Sequence, residues 1–537
     1  PMSNDPLFQP FELKHLTIRN RMLSTAHEPA YTVDGLTGER YRLYHAEKAK
    51  GGIGMTMIGG SSVVAPDSPS VFGNILLYQD ESVRWLRDVV DAVHEHGAAI
   101  MIQITHLGRR NNWDIADWLP ILSASHTREP AHRAYAKAME DWDIDRVIRD
   151  YADGAEKVKA AGFDGVELEM YGHLIDQFWS PRSNFREDEY GGSLENRMRF
   201  GMAVLRAIRD RVGPDYIVGV RMVCDEDARR GISAEEGTEI AQRLSASGLV
   251  DFLNVIRGHV DTAAGLSRAI PPMGTKAAPH LDFAGRIRDA TGMPVFHSAR
   301  VQDVATARHA IESGKLDMVG MTRAHMADPH IMAKIAGGQE ERIRPCVGMA
   351  YCIDSIYSGQ AACIPNAATG REATIPHGIP KAEARRKVVV VGAGPGGLEA
   401  ARIAGERGHA VVVFEAASKP GGQLLLAGAV RQRREVLGIV DWRVQECARH
   451  GVTFRYDRYA EAGDVLAEDP DLVIVATGGM PDDGFLTERA DLAVSSWDVL
   501  SGNVKAGREV ILFDDSAGHA GLTTAAALIE QGARLDL

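Results

Sequence analysis

The chain has 537 residues, of which 45% are hydrophobic and 25% charged, and its net charge is −13. This length predicts more than one globular domain, and the negative charge argues against nucleic acid as a partner. No apolar run has the length of a membrane span, and the N-terminal stretch PMSNDPLFQPFELKHL lacks the pattern of a secretory signal, so we expect a cytoplasmic protein.

Short β-type runs alternate with amphipathic helical stretches over residues 20–335. The runs are RMLSTA (21–26), GMTMI (54–58), AAIMIQI (98–104), GVELE (165–169), YIVGVRM (216–222), FLNVI (252–256), PVFHSA (294–299) and DMVGMT (317–322). Eight β runs in a βα rhythm predict an α/β fold of the TIM (β/α)8 barrel type, which we place at 1–340. A long excursion at 104–145, which contains Trp113, Trp118 and Trp142, is either a lid or a packing insert.

In a TIM barrel the chemistry lies at the carboxyl ends of the strands. The polar and small residues at these ends are Ala26, His27, Glu28, Gly59, Gly60, Gln103 to His106, Glu169 to His173, Arg221, His259, Ser298 to Arg300, Thr322 and Arg323. We therefore expect the active site to be built from this set.

Three of the five cysteines lie in the segment CVGMAYCIDSIYSGQAAC, as Cys346, Cys352 and Cys363. Clustered cysteines in a chain without a secretory signal indicate metal or redox use rather than a disulfide framework. We interpret residues 341–380 as an electron-transfer segment. The other two cysteines, Cys224 and Cys447, are interpreted as buried structural thiols.

A glycine-rich turn follows a run of valines after this segment. Its glycines, Gly392, Gly394 and Gly397, form G-x-G-x-x-G, and Glu415 ends the next predicted strand. The glycines allow a pyrophosphate to approach a helix N-terminus, and the acid can bind a ribose hydroxyl. With the further turn GGQL, which contains Gln423, the pattern predicts a Rossmann-like nucleotide-binding domain at 385–500.

A second strand–helix–strand unit is predicted at residues 501–537. Its turn reads FDDSAGHAG, and Asp514 and Asp515 would repel a pyrophosphate. This unit is therefore structural, binds a different nucleotide, or binds none, which weakens the case for NAD(P)H as the electron source.

Several barrel motifs resemble the old-yellow-enzyme flavin oxidoreductases. They are NRM near the start, QITHLGR (103–109), GFDGVE (162–167), QFWSPRSNFREDEYGGSLENR (177–197) and VGMTRAHMADP (319–329). With the cysteine segment and the nucleotide fold appended, the chain resembles the multidomain branch of that family. The branch includes trimethylamine dehydrogenase, dimethylglycine and N-methylproline demethylases, and 2,4-dienoyl-CoA reductase. The resemblance extends over nearly the whole chain.

The resemblance implies FMN in the barrel and FAD or ADP in the nucleotide domain. Gln103 would bind the flavin pyrimidine edge, and Arg221 would stabilise the negative charge of the reduced ring. Ala26, His27 and Gly60 would lie beside the ring. The phosphate would be held by Arg300, Thr322 and Arg323 at the ends of the last two strands.

The resemblance also implies an iron–sulfur cluster. Cys346, Cys352 and Cys363 match the first, third and fourth ligands of the family pattern, and Met349 stands at the second. A thioether is a weak iron ligand. The segment therefore holds a 3Fe-4S cluster, a 4Fe-4S cluster with an unusual fourth ligand, or no cluster, and we favour a cluster.

The departures from the family pattern bear on the substrate. Glu28 stands where trimethylamine dehydrogenase attaches FMN through a cysteine, and Glu169 stands where enoate-reducing relatives have their first histidine. Two carboxylates near a flavin favour a cationic substrate, unless each only pairs with arginine or backbone amides. Tyr171 would orient an amine through its hydroxyl or ring, and His173 would accept the amine proton.

The resemblance implies oxidative N-demethylation of a small cationic or zwitterionic methylated amine, of the N-methylproline or dimethylglycine type. Electrons would pass to an external acceptor such as an electron-transferring flavoprotein, and we expect a homo-oligomer. One alternative is an NAD(P)H-dependent enoate or 2,4-dienoyl-CoA-type reductase. Another is a non-catalytic flavin electron-transfer subunit.

Overall fold

The computed structural model describes residues 4–68, 70–112, 118–482, 484–486, 488 and 490–537. The chain forms two compact units. The first comprises Pro1–Pro272, Lys276–Cys346 and Ala350–Pro376, and the second comprises Met273–Thr275, Val347–Met349 and His377–Leu537. No helix in the described part of the chain is both long and apolar enough to cross a membrane.

The secondary structure alternates between strands and helices through both units. The strands are β1 Phe11–Leu13, β2 Leu16–Ile18, β3 Met22–Ser24, β4 Met55–Val63, β5 Ala99–Thr105, β6 Leu122–Ser123, β7 Lys137–Ala138, β8 Gly165–Met170, β9 Ile217–Asp225, β10 Phe252–Arg257, β11 Val295–His297, β12 Met318–Gly320, β13 Lys387–Val391, β14 Ala410–Phe414, β15 Thr453–Arg455, β16 Leu472–Val475, β17 Glu509–Ile511 and β18 Arg534–Asp536. The helices are α1 Glu39–Lys50, α2 Ser82–His94, α3 Asp141–Ala161, α4 Leu174–Trp179, α5 Leu194–Val212, α6 Ala234–Ser247, α7 Ala263–Ala269, α8 Leu281–Thr291, α9 Val304–Glu312, α10 Thr322–Ala327, α11 Ile331–Ala336, α12 Tyr351–Asp354, α13 Pro395–Glu406, α14 Gln423–Ala427, α15 Gly438–Arg449, α16 Ala462–Leu466, α17 Ser496–Ser501 and α18 His519–Glu530.

The first unit contains a closed barrel of eight strands in the order β10-β11-β12-β3-β4-β5-β8-β9. Neighbouring strands run parallel, as between β5 and β8 and between β8 and β9. Each of the eight predicted β runs overlaps one of these strands, so the TIM barrel is confirmed. The strands are buried on both faces, as expected for a parallel sheet covered by helices.

Side-chain alternation along the strands separates the barrel interior from the layer of helices. In β8, Val166 and Leu168 belong to the core packed against the helices. Because strand side chains alternate between faces, Glu167 and Glu169 point to the opposite, inner face. The same period places Gln103 of β5 and Arg221 of β9 inside the barrel. Four polar side chains thus share the interior near the strand ends.

The second unit contains a parallel sheet in the order β15-β14-β13-β16. Helix α13 connects β13 to β14, and its apolar side packs on the sheet through Leu398 and Ala401. This is the predicted Rossmann-like arrangement. Residues 501–537 form a separate parallel pair, β17 with β18, joined by α18.

The predicted lid or insert at 104–145 contains the short strands β6 and β7 and a small apolar cluster of Ile121, Ala134 and Ala136. Trp118 and Trp142 are exposed, so neither is part of the barrel core. Trp113 lies outside the described residues.

Candidate active site

A pocket opens at the carboxyl ends of the barrel strands, within the first unit. It encloses about 1200 Å³ of empty space, counting the solvent at its mouth. The barrel residues to which the sequence analysis gave a catalytic or cofactor role line it: Ala26, His27, Glu28, Gly60, Gln103, Glu169, Tyr171, His173, Arg221, Arg300, Thr322 and Arg323. The strand-end rule also named Gly59, His106 and His259, which are not part of this lining.

Glu169 is a buried acid with three polar neighbours. Its Oε2 accepts a hydrogen bond from the Ser61 hydroxyl at 2.8 Å and lies 3.3 Å from His173 Nδ1. Burial alone would raise the pKa of this carboxyl, but His173, Arg221 and the Ser61 hydroxyl hold it below its ordinary value. Glu169 is therefore a charged acid at neutral pH.

Glu28 differs from Glu169 in its environment. Its Oε1 accepts the Ala30 amide at 2.9 Å, whereas its buried Oε2 meets no partner among the described residues. Burial raises the pKa of Glu28 well above its ordinary value, against the opposing effect of two backbone amides. Burial thus favours the neutral form of Glu28, whereas the neighbours of Glu169 favour its charged form.

Tyr171 and His173 follow β8 and lie against each other, with ring centroids 6.4 Å apart and nearly parallel planes. The Arg221 guanidinium carbon lies 5.3 Å from the centre of the Tyr171 ring. His173 Nδ1 also contacts the Thr105 hydroxyl at 2.9 Å, and its backbone amide donates to Asp176 at 2.9 Å. These contacts fix both side chains at the pocket wall.

Gln103 and Arg221 lie deeper in the barrel. Gln103 donates to Glu167 at 2.8 Å and accepts the Ser61 amide at 3.2 Å. Arg221 donates through Nη1 to the Ala26 carbonyl at 2.9 Å, and its buried Nε has no partner in the described structure. An unmet buried donor is costly, so the pocket favours a ligand with an acceptor at this point.

A second group of polar residues lies at the ends of β3, β11 and β12. The Thr322 hydroxyl accepts the Thr25 amide at 2.9 Å and lies 2.6 Å from the Thr25 hydroxyl. Arg323 donates through Nη2 to the Pro271 carbonyl at 2.8 Å, while its buried Nη1 is unpaired among the described residues. Arg300 has left-handed backbone, with φ of 54°, an uncommon state for a residue with a side chain.

His27 lines the pocket, but its ring nitrogens are engaged within the protein. Nδ1 lies 3.1 Å from the Thr25 carbonyl and Nε2 lies 2.7 Å from the Tyr44 hydroxyl. Burial, with a smaller effect of the Lys48 charge, lowers the pKa of His27 to about 3. The imidazole is therefore neutral, and both of its nitrogens are engaged within the protein.

The three clustered cysteines all belong to the first unit, and Cys352 lines the pocket. Burial, together with the Cys346 charge, raises the pKa of Cys352 to about 11. Burial also raises the pKa of Cys363, and the charges of Cys346 and Cys352 add to this effect. Gln302 Nε2 donates to the Cys346 sulfur at 3.7 Å. No three His, Cys, Asp or Glu side chains within the described ranges are placed to bind a single ion; in a cluster, each thiolate binds its own iron.

Met349 belongs to the second unit. Its sulfur accepts a hydrogen bond from Arg433 Nη2 at 3.6 Å. It packs against the apolar cluster of Val347, Val436 and Ile439. The thioether is thus held by a cation and apolar neighbours of its own unit.

The glycine turn after β13 is closely packed. A Cβ on Gly397 would lie 1.9 Å from the Gly392 carbonyl oxygen, and Gly392 itself has φ of 102°. Gly394 precedes the first residue of α13, and Gln423 begins α14. Glu415 accepts the amides of Ala393 at 2.7 Å and Ala417 at 2.8 Å. The predicted turn, helix N-terminus and acid thus occur together.

Several pocket residues were not among the predicted set, and they include Phe72, Arg110 and Tyr357. Phe72 follows β4, Arg110 comes one residue after the quoted motif QITHLGR, and Tyr357 lies in the cysteine segment. Strand periodicity gives no information about residues in loops. The one available signal was a second arginine, Arg110, directly after that motif.

Comparisons with known proteins agree with this architecture. The family model described as NADH:flavin oxidoreductase / NADH oxidase matches residues 6–342, more than half of the chain. The chain belongs to this family. A second model, pyridine nucleotide-disulphide oxidoreductase, matches residues 386–483. This member of the NADH:flavin oxidoreductase / NADH oxidase family is therefore a flavin-dependent oxidoreductase, as the sequence motifs predicted.

Similar proteins extend over the full length of this family member. It is 60% identical over 537 residues to a probable N-methylproline demethylase of Rhizobium meliloti (strain 1021), covering 100% of this chain and 79% of that protein. It is 47% identical to an N,N-dimethylglycine/sarcosine dehydrogenase of Chromohalobacter salexigens, with 100% and 79% covered. The structure of histamine dehydrogenase from Rhizobium sp. 4-9 matches with a TM-score of 0.89 at 26% identity, over 99% of this chain and 79% of that one.

The barrel pocket fits a flavin. Its unpaired buried donors, Arg221 Nε and Arg323 Nη1, suit the carbonyl and phosphate oxygens of such a group. The apolar part of the wall includes Ala26 and Val260.

Proposed function

We propose that this protein catalyses FMN-dependent oxidative N-demethylation of a small methylated amine or amino acid, of the N-methylproline or dimethylglycine type. The observation that carries the proposal is the charged acid Glu169 beside His173 in the pocket. A buried carboxylate stabilises a cationic substrate and its iminium product, and it disfavours an enolate. The names of the relatives support the same class of substrate.

In this proposal Glu169 attracts the substrate ammonium, and Tyr171 orients the amine with its hydroxyl or its ring. His173 accepts the amine proton. Because Thr105 and Glu169 lie at its Nδ1, we assign the proton to Nε2. Glu28, as a neutral acid, adds a hydrogen-bond donor to the wall without adding charge.

FMN, when bound, supplies the two-electron acceptor for hydride loss from the N-methyl carbon; water then hydrolyses the iminium to formaldehyde and the demethylated amine. Gln103 and Arg221 would bind its pyrimidine edge, with Ala26, His27 and Gly60 beside the ring. Its phosphate would be held by Arg300, Thr322 and Arg323. The unpaired donors of Arg221 and Arg323 support these roles.

Electrons would leave through an iron–sulfur cluster held by Cys346, Cys352 and Cys363, either 4Fe-4S or 3Fe-4S. Cys352 lines the pocket, which supports a short path from the barrel. The final acceptor would be an external protein such as an electron-transferring flavoprotein. Gly392, Gly394, Gly397, Glu415 and Gln423 would bind FAD or ADP.

One anaerobic experiment tests the proposal. The purified holoprotein is mixed with N-methylproline, dimethylglycine, or NADPH followed by an enone, while the flavin absorbance is recorded. We expect bleaching by a methylated amine and release of formaldehyde. Bleaching by NADPH alone, with reoxidation by the enone, would instead identify an enoate-type reductase. A flavin that responds to no donor would indicate an electron-transfer subunit.

A further inference from the structure

Four arginines line the barrel pocket: Arg110, Arg221, Arg300 and Arg323. The proposed function assigns the last three to the flavin. Arg110 is the arginine of the pocket wall that has no role in that scheme, and it approaches from the loop after β5. A buried cation in a ligand pocket calls for an anionic partner.

Arg110 is held in place by its neighbours. Its Nη1 donates to the Val260 carbonyl at 2.8 Å and to Glu129 at 3.3 Å, and its Nη2 donates to the Tyr357 hydroxyl at 3.3 Å. The Phe72 ring centre lies 5.5 Å from the guanidinium carbon. The guanidinium is therefore fixed in position beside an aromatic wall.

The pairing with Glu129 leaves hydrogen-bond donors of Arg110 available for a ligand. At 3.3 Å the contact is longer than the ~2.7–2.9 Å of a strong charge-assisted bond. Glu129 is also shared with His132, whose amide lies at 2.6 Å and whose ring nitrogen lies at 2.9 Å. The three bonds of Arg110 engage three of the five donors that a guanidinium offers.

The pocket therefore has two charged ends. Glu169 supplies the negative end and Arg110 the positive end. Both charges, and Tyr357, affect the pKa of Tyr171. An N-methylated amino acid is a zwitterion whose ammonium and carboxylate match these two ends. An amine without a carboxylate would add no ligand anion to the Glu129 contact that Arg110 already makes.

We propose that Arg110, with the Tyr357 hydroxyl, binds the substrate carboxylate, so that the site selects N-methylated amino acids over amines that lack a carboxylate. The proposal rests on the proposed function for the identity of the ammonium end. Arg110 acts here as a specificity-determining residue, because planar bidentate recognition of carboxylate is what a fixed guanidinium does best.

Binding is tested without turnover, by titrating the oxidised holoprotein with L-proline or pyrrolidine and following the flavin absorbance. The two ligands share the ring and the ammonium and differ in the carboxylate. We expect wild-type protein to bind L-proline at least about tenfold more tightly than pyrrolidine. In Arg110→Gln the affinity for L-proline should fall about 100-fold, and that for pyrrolidine should stay within about threefold.

Further variants separate recognition from misfolding. Arg110→Gln/Glu129→Gln removes both charges of the buried pair, so it should show the same loss without an unpaired acid. Tyr357→Phe should weaken L-proline alone, by several-fold. Arg109→Gln is the matched control: Arg109 is also buried and ion-paired, with Asp261, but does not line the pocket. Its ratio of the two affinities should equal that of wild type.

The outcomes distinguish this inference from the proposed function. Equal wild-type affinity for the two ligands, or equal loss of both in Arg110→Gln, overturns the carboxylate role. Selective loss of L-proline supports that role even if N-methylproline fails to bleach the flavin, a result that would refute N-demethylation alone.

Discussion

The two pocket glutamates lie in environments that shift their pKa values in opposite directions, down for Glu169 and up for Glu28. Glu169→Gln removes the negative charge that lies 3.3 Å from His173. Two unit charges about 4 Å apart interact by about 4 kcal/mol at an effective dielectric constant near 20. Removing one partner of a buried charge pair costs about 2–5 kcal/mol. We therefore expect about 100-fold weaker binding of the substrate ammonium in this variant.

Glu28→Gln is the matched comparison. The amide oxygen of glutamine can accept the Ala30 amide as Glu28 Oε1 does at 2.9 Å, and an amide group replaces a neutral acid. We expect less than about a threefold change in the dissociation constant, or about 0.65 kcal/mol, because neither a charge nor the Ala30 contact is lost. The assay is anaerobic stopped-flow reduction of the flavin by N-methylproline at increasing concentration, which yields the apparent dissociation constant. If Glu28→Gln weakens binding as much as Glu169→Gln, or Glu169→Gln leaves it unchanged, the assignment of charge is wrong.

Three further predictions concern the rest of the molecule. Gly397→Ala places a Cβ 1.9 Å from a carbonyl oxygen, whereas a Cβ on Gly396 meets nothing within 4 Å. When the nucleotides released on denaturation are measured, Gly397→Ala should have lost FAD or ADP but kept FMN. The control variant Gly396→Ala should keep both. Cys352→Ser should abolish iron, sulfide and the EPR signal while Cys447→Ala keeps them, and a wild-type protein without iron would refute the cluster. Burial lowers the pKa of Lys48 from 10.5 to about 7, so folded protein binds fewer protons than unfolded chain between these values and gains stability as pH rises. Lys48→Met should therefore raise the melting temperature at pH 6 and lose that advantage by pH 10; an advantage that grows with pH would contradict buried Lys48.

Periodicity and motifs predicted the architecture because both reflect burial. The runs of Val, Ile and Met between amphipathic stretches are typical of covered parallel strands, and the strand-end rule then located Gln103, Glu169 and Arg221. The glycine turn was predictable because Gly397 has no room for a side chain.

Other features of the site depend on tertiary contacts that no local pattern contains. A sequence counts Glu28 and Glu169 as two carboxylates, yet burial and neighbours decide which one is charged. Arg110 and Tyr357 are far apart in the chain, and they meet only because the cysteine segment packs on the barrel within the first unit. Such pairs are not visible before the chain is folded.

The cysteine segment also closes part of the pocket. Cys352, Ile353, Ile356 and Tyr357 line it, and the Tyr31 hydroxyl, from the loop after β3, bonds the Ala361 carbonyl at 2.7 Å. One wall of the cavity is thus formed by residues outside the barrel strands. In the proposed function this segment carries the iron–sulfur cluster, so we expect protein produced under iron limitation to be deficient in flavin as well as in iron.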